Sequence, residues 1–317
     1  MRPRGYIPRR MIVDLDTRLW PRIEDLGDEL AAAVRSLGSA RWLQPDATAE
    51  AHAAATRAVD AAVVLGFRSE LVRGAIPEAQ LRGAIERSEG RLFLARAIDP
   101  TRTDAVAEVE SARKEGAAAI WLDPCTQGFN PTDTRAMRVF DRAEANQLPV
   151  FLGWSGPMPS SARLEFARPF LLDEIARAFP RLSMVIAGFG APFMSETLAL
   201  LAKHDHVFTT TAGVAARPWE LLNALQSARD HGVDRRVCFA SGFPFDAPAR
   251  AIEAIYGVNS LIHATPLPHI ARSVLREIVE RDAISLLGLG VPPAPNARDT
   301  TRALASEAPL RLSGENG

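Results

Sequence analysis

The stretch VDLDTRLW, Val13 to Trp20, places two carboxylates, a guanidinium and an indole at alternate positions: Asp14, Asp16, Arg18 and Trp20. Alternate side chains of an extended strand share a face, so these four would converge on one surface. An arginine there can hold a carboxylate and an aspartate beside it can move a proton, while an indole gives a flat wall. Farther along, Trp121, Asp123 and Cys125 fall within five residues. Cys125 becomes a nucleophile only where a base or a positive field favours thiolate; Arg18 could supply that field, and a small semi-buried side chain is the plainer role. Asp16, Arg18, Asp123 and Cys125 are therefore the candidate catalytic groups.

Other chemistries are poorly served. The only lysines are Lys114 and Lys203, both in helix-like stretches, so a Schiff base on a desolvated amine is not expected. Cys125 and Cys238 lie too far apart for a zinc motif or a disulfide framework. The net charge of −1 points to neither nucleic acid nor an anionic membrane as partner. No run reaches the ~18 apolar residues of a membrane span, and the basic start MRPRGYIPRR lacks the apolar core of a secretory signal. The expected location is cytoplasmic.

The elements that must position these residues are short apolar strands alternating with amphipathic helices. Strands are expected at Met11–Leu15, Ala61–Gly66, Leu92–Ile98, Ala118–Leu122, Val150–Gly153, Ser183–Ala187, Val207–Thr210 and Val237–Ala240. Helices are expected near Glu78–Arg87, Thr103–Lys114, Asp133–Asn146, Arg168–Ala178, Pro192–Leu201, Pro218–His231, Ala249–Tyr256 and Ile270–Leu286. Eight such strands, most followed by a helix, describe an α/β protein of the (β/α)8 TIM-barrel class. An open doubly wound sheet is the alternative, without a G-x-G-x-x-G after the first strand to support it. The expected organisation is one barrel domain over 1–290, a helical excursion at about 21–60, and a tail rich in Pro, Ala and Arg over 291–317.

Several segments in order carry a family resemblance: VVLGFRSELVRGAIPEAQL, GRLFLARAIDP, EGAAAIWLDPCTQGFNPTD, LPVFLGWSG, FPRLSMVIAGFGAPF, RVCFASGFPF and REIVERDAISLLGL. From about Met11 to Leu289 the chain resembles the amidohydrolase superfamily, in its amidohydrolase-2 branch with the aminocarboxymuconate-semialdehyde and resorcylate decarboxylases. That resemblance implies a (β/α)8 barrel with one divalent metal at the C-terminal mouth. The ligands implied are H-x-H after strand 1, a histidine after strand 5, often one after strand 6, and an aspartate after strand 8. Here those positions read Asp16, Arg18, Gly153, Gly188 and Gly242, and none of the six histidines falls at the end of a barrel strand. A guanidinium at position 18 opposes a dication. No metal and no cofactor is therefore expected.

Asp16, Arg18, Trp20, Trp121, Asp123, Trp154 and Phe189 would line what remains of the pocket. Two readings stand together: an aromatic-walled site for a small carboxylated or aromatic ligand, and rings that fill the space of a lost centre because cores resist voids. In function, the sequence supports an amidohydrolase-related pseudoenzyme serving as a ligand-binding, assembly or regulatory module. The alternatives are a metal-independent hydrolase or decarboxylase-like lyase in the barrel mouth, and a metal-dependent hydrolase with an unrecognised site. The resemblance implies a homodimer; an active paralogue or an enzyme complex is the protein partner such a module would serve.

Overall fold

The computed structural model describes residues 10–40 and 46–290, with only the backbone at 38–40. The tail expected over 291–317, and part of the excursion, lie outside the described residues. Eight parallel strands follow one another round a barrel: β1 Val13–Thr17, β2 Ala61–Leu65, β3 Leu92–Ala97, β4 Ala119–Leu122, β5 Val150–Leu152, β6 Met184–Ile186, β7 Val207–Thr210 and β8 Val237–Cys238. Each pairs with the next in the chain, as the sequence pattern predicts. Helices cover the outer face, so runs such as AAVVL are buried on both sides and show no polar alternation.

β8 pairs through two residues with β7, and the ring closes onto β1 through backbone bonds at and beyond β8. Leu15 N–H donates to Phe239 O (3.2 Å), Gly242 N–H to Asp16 O (3.0 Å) and Arg18 N–H to Phe243 O (2.9 Å). This closure presents β1 to the barrel mouth, next to the turn after β8.

Most elements lie within a few residues of their expected bounds, and two of the differences have clear local reasons. The expected first strand, Met11–Leu15, starts two residues later, because Met11 N–H bonds Glu280 O and Ile12 N–H bonds Asp60 Oδ2. Asp16 thus lies inside β1, where the register to β2 shifts between Asp14 and Thr17. The expected helix Ile270–Leu286 is two helices, Arg272–Val279 and Ala283–Leu287. Asp282 starts the second by accepting from Ser285 N–H at 3.0 Å.

The long connections lie over the mouth. After β1 come a short turn at Ile23–Leu26 and helices Asp28–Ala40 and Ala49–Ala55; after β5, residues 153–171 form a loop with two single-turn helices.

Candidate functional site at the barrel mouth

Asp14 near the start of β1, Asp16 near its end and Arg18 just beyond it are all buried. Asp14 accepts from Ser241 Oγ–H at 2.6 Å, Ser241 N–H at 2.9 Å and Asp16 N–H at 3.2 Å. Desolvation outweighs these three donors and pushes its pKa up to about 7. Burial also raises the Asp16 carboxyl, opposed by the Arg18 charge and by the nearby Ser155 hydroxyl.

Arg18 is held inside a cage. Its Nη1–H donates to Gly66 O at 3.3 Å, and its Nε stands 3.7 Å from Asp16 Oδ1, an ion pair longer than a hydrogen bond. The guanidinium carbon lies 4.7 Å from the Trp121 ring centre and 4.3 Å from that of Trp154, so two indoles flank one cation. Such contacts are worth about 2 kcal/mol each when desolvated. Burial lowers the Arg18 pKa while Asp16 and Asp123 oppose that shift, and a guanidinium keeps its proton in such a place.

The tryptophans are themselves fixed. Trp121 Nε1–H donates to Gly153 O (2.9 Å) and Trp154 Nε1–H to Pro157 O (2.8 Å). Phe67 packs 5.6 Å from Trp121 and 5.5 Å from Trp154, and Phe245 packs 5.7 Å from Trp154 and 6.2 Å from Trp20. The rings form one continuous lid above Arg18, none of whose surface reaches solvent. Phe67, Phe245 and Ser155 went unread in the sequence. Their signal was positional: Phe67 and Ser155 follow their strands within three residues and Phe245 ends the turn after β8, where side chains turn over the mouth.

Asp123 is spent locally. It is the N-cap of a one-turn helix, Pro124–Gln127, that the sequence reading lacked; its Oδ2 accepts from Thr126 Oγ–H at 2.5 Å and Thr126 N–H at 3.2 Å. Burial raises its pKa, with the two Thr126 bonds opposing. Cys125 sits in the same turn, its Sγ 3.9 Å from Met158 Sδ, and burial beside Asp123 pushes its pKa up to about 12. That environment works against a thiolate nucleophile.

Phe189 is buried in a left-handed turn after β6 (φ 56°), held by its N–H on Thr209 Oγ1 at 3.0 Å. At Gly188 a Cβ would stand 2.5 Å from Ala212 O, and at Gly242 3.1 Å from Gly213 N, so backbone fills both places. At Gly153 it would meet only Ala187, its Cβ at 3.5 Å and its backbone N at 4.0 Å. His52, buried at the outer side of β1, has Nε2 2.9 Å from Thr17 Oγ1 and faces away from Arg18. Because the Thr17 hydroxyl donates to Val63 O, His52 Nε2 must carry the proton.

This donor set does not fit a divalent metal. Position 18 offers a cation without a lone pair, positions 153, 188 and 242 offer no side chain, and at 188 the Ala212 carbonyl leaves no room for one. Among the described residues, no group of three or more His, Cys, Asp or Glu side chains is placed to hold an ion. The mouth retains a cavity of about 60 Å³ beside Asp123, Cys125 and Trp154, far below the ~300 Å³ of an ordinary small-molecule pocket. Larger hollows, of about 390 Å³ beside His52 and Arg91 and about 510 Å³ beside Glu144 and Arg181, lie away from these groups.

Several solved structures share the fold. An uncharacterised TIM-barrel protein from Bordetella bronchiseptica is 15% identical with a TM-score of 0.67, the match covering 88% of this chain and 98% of that one. A 5-carboxyvanillate decarboxylase from Novosphingobium aromaticivorans, complexed with manganese and 4-hydroxy-3-methoxy-5-nitrobenzoic acid, is 13% identical (TM-score 0.65; 88% and 96% covered). A 2,6-dihydroxybenzoate decarboxylase bound to 2,6-dihydroxybenzoate is 15% identical (TM-score 0.60; 88% and 100% covered). No curated protein sequence matches the chain. The amidohydrolase family profile matches residues 13–289, nearly the whole described barrel, and the chain belongs to that family.

Proposed function

We propose that this chain is an amidohydrolase-fold pseudoenzyme, a barrel that serves as a binding or assembly module. The observation that carries the reading is Arg18, buried between Trp121 and Trp154 with Asp16 at 3.7 Å, at the place where the family resemblance implies two metal-binding histidines. An internal cation there repels a dication, and its paired carboxylate is no longer a free ligand.

The metal-independent alternative, with Arg18 holding a substrate carboxylate and Asp16 or Asp123 moving its proton, needs those groups to be reached from solvent. The lid of Phe67, Trp121, Trp154 and Phe245 stands in the way, and Asp123 is committed to Thr126. As a module the chain would work in the cytoplasm as a homodimer or beside an active relative. No helix among the described residues is long and apolar enough to cross a membrane.

Elemental analysis of purified, unchelated protein tests the proposal, together with a decarboxylation and hydrolysis assay on hydroxybenzoates and cyclic esters with added manganese or zinc. The expected results are far less than one metal per chain and no metal-dependent turnover. One tightly held metal per chain, or turnover abolished by Asp16→Ala, would overturn the reading.

A further inference from the structure

Away from the mouth, the hollow of about 390 Å³ beside His52 joins a buried acceptor to a charged rim. It lies where the helix Ala49–Ala55, the end of the helix Glu78–Glu86 and the first residues of β2 and β3 come together. Its volume is that of an ordinary small-molecule pocket. Ala61, Ala62 and Leu92 give it an apolar floor, and His52 is buried beside them.

His52 is committed on one side only. Its Nε2–H donates to Thr17 Oγ1 at 2.9 Å, and Phe243 meets the ring edge-on at 5.5 Å, so the imidazole is fixed in orientation. Burial lowers its pKa to about 4, so at neutral pH the ring is uncharged and Nδ1 carries a lone pair. Among the described residues Nδ1 has no hydrogen-bond partner. A ligand N–H or O–H would relieve that buried acceptor. The hydroxyls nearby are already used, Thr56 donating to His52 O and Ser88 to Ile85 O. At the rim stand Arg87 and Arg91 with Glu50 and Glu89. Arg91 spends Nε and Nη2 on the carbonyls of Asp60, Thr56 and Val59. Arg87, Glu50 and Glu89 make no ion pair among the described residues.

We propose that this hollow is a binding site for a free aromatic α-amino acid whose ring bears an N–H or O–H, as tryptophan and tyrosine do. The ring lies on the apolar floor and its donor meets His52 Nδ1. The carboxylate pairs with Arg87 and the ammonium with Glu50 or Glu89. A rim with both signs of charge complements a zwitterion better than a plain anion or cation. The exposed rim pairs add little energy each and serve to orient; ring burial and the His52 hydrogen bond supply most of the affinity. Because His52 hangs on Thr17, the residue before Arg18, an occupant touches β1 from outside the barrel.

The test is isothermal titration calorimetry of the full chain with L-tryptophan, L-phenylalanine, tryptamine and indole-3-propionate. Expected is one L-tryptophan per chain. L-phenylalanine, which lacks the donor, should bind about tenfold more weakly, the worth of one hydrogen bond. Tryptamine and indole-3-propionate, each missing one charge, should also bind more weakly. Ala84→Phe fills the hollow from its partly exposed wall and should abolish binding, while His52→Leu should bring L-tryptophan down to the level of L-phenylalanine. If His52→Leu fails to fold, the ligand series and Ala84→Phe decide. No saturable binding of L-tryptophan at millimolar concentration, equal affinity for L-phenylalanine or tryptamine, or binding that survives Ala84→Phe overturns the site. None of these outcomes touches metal content or turnover, so the proposed function stands or falls by its own assay.

Discussion

Asp14 and His52 flank the same strand and titrate with opposite consequences. Burial raises the Asp14 carboxyl from 3.8 to about 7, so the folded state binds its proton more tightly than the unfolded chain does. Its contribution is complete below pH 4 and lost as pH rises through 7, in total about 4 kcal/mol. Burial lowers His52 from 6.5 to about 4, so the unfolded chain binds that proton more tightly. Its contribution is complete above pH 6.5 and lost as pH falls toward 4, in total about 3 kcal/mol. The two slopes oppose each other between pH 4 and 6.5, and above 6.5 only the Asp14 slope remains. Stability from urea titrations should therefore decline from pH 6.5 to 8, less steeply in Asp14→Asn. An Asp14→Asn curve as steep as wild type would refute the assignment. His52→Leu should steepen the fall between pH 4 and 6.5. At this scale the sequence was informative where strand alternation operates, as at Asp16, Arg18, Trp121 and Trp154. It singled out Asp123 as a catalytic candidate but not its capping role, because a four-residue helix leaves no periodicity and its cap looks like any aspartate before a proline.

The loop after β5 shows how one element shapes the mouth. At Gly156 a Cβ would stand 2.4 Å from the Phe245 ring and 2.7 Å from Trp154 Nε1, so only glycine lets the two rings close over Arg18. Gly156→Ala should cost about 1–3 kcal/mol, as overpacking does. Thermal unfolding measures this, and an unchanged midpoint would mean that the rings have free space to shift. Among the regular elements, the helices Glu78–Glu86 and Pro218–Asp230 lie within a residue of their predicted ends. Their apolar periodicity spans several turns, and Pro218 marks the start of its own helix. The strand boundaries were less legible. Apolar composition fixes that AAVVL is a strand, but the first residue of β1 depends on which partner takes each amide, and Met11 and Ile12 bond to Glu280 and Asp60.

At the scale of the whole barrel the critical joint is between its ends. Eight apolar runs made the ring readable; its seam was not, because Asp14 and Ser241 stand 227 residues apart and β8 is only two residues long. Ser241→Ala removes a donor from a buried carboxyl and should cost about 1–3 kcal/mol. Amide hydrogen exchange would then show the loss at the seam: Gly242 and Arg18 should exchange faster, while Ile120 and Val150, on the far wall, keep their protection. Uniform acceleration would instead mean that the ring opens only by global unfolding.

The two indoles around Arg18 also make the protein its own optical probe. Trp121 and Trp154 each lie within 5 Å of the same guanidinium carbon, at 4.7 and 4.3 Å, close enough for their transitions to couple. Trp219, by contrast, is largely exposed and emits as a solvated indole. The near-ultraviolet circular dichroism of the resting protein should therefore carry a paired-indole signature that Trp219 does not contribute. Anything that parts the lid, whether a ligand, a partner or a change of pH, would announce itself in that band without an added dye.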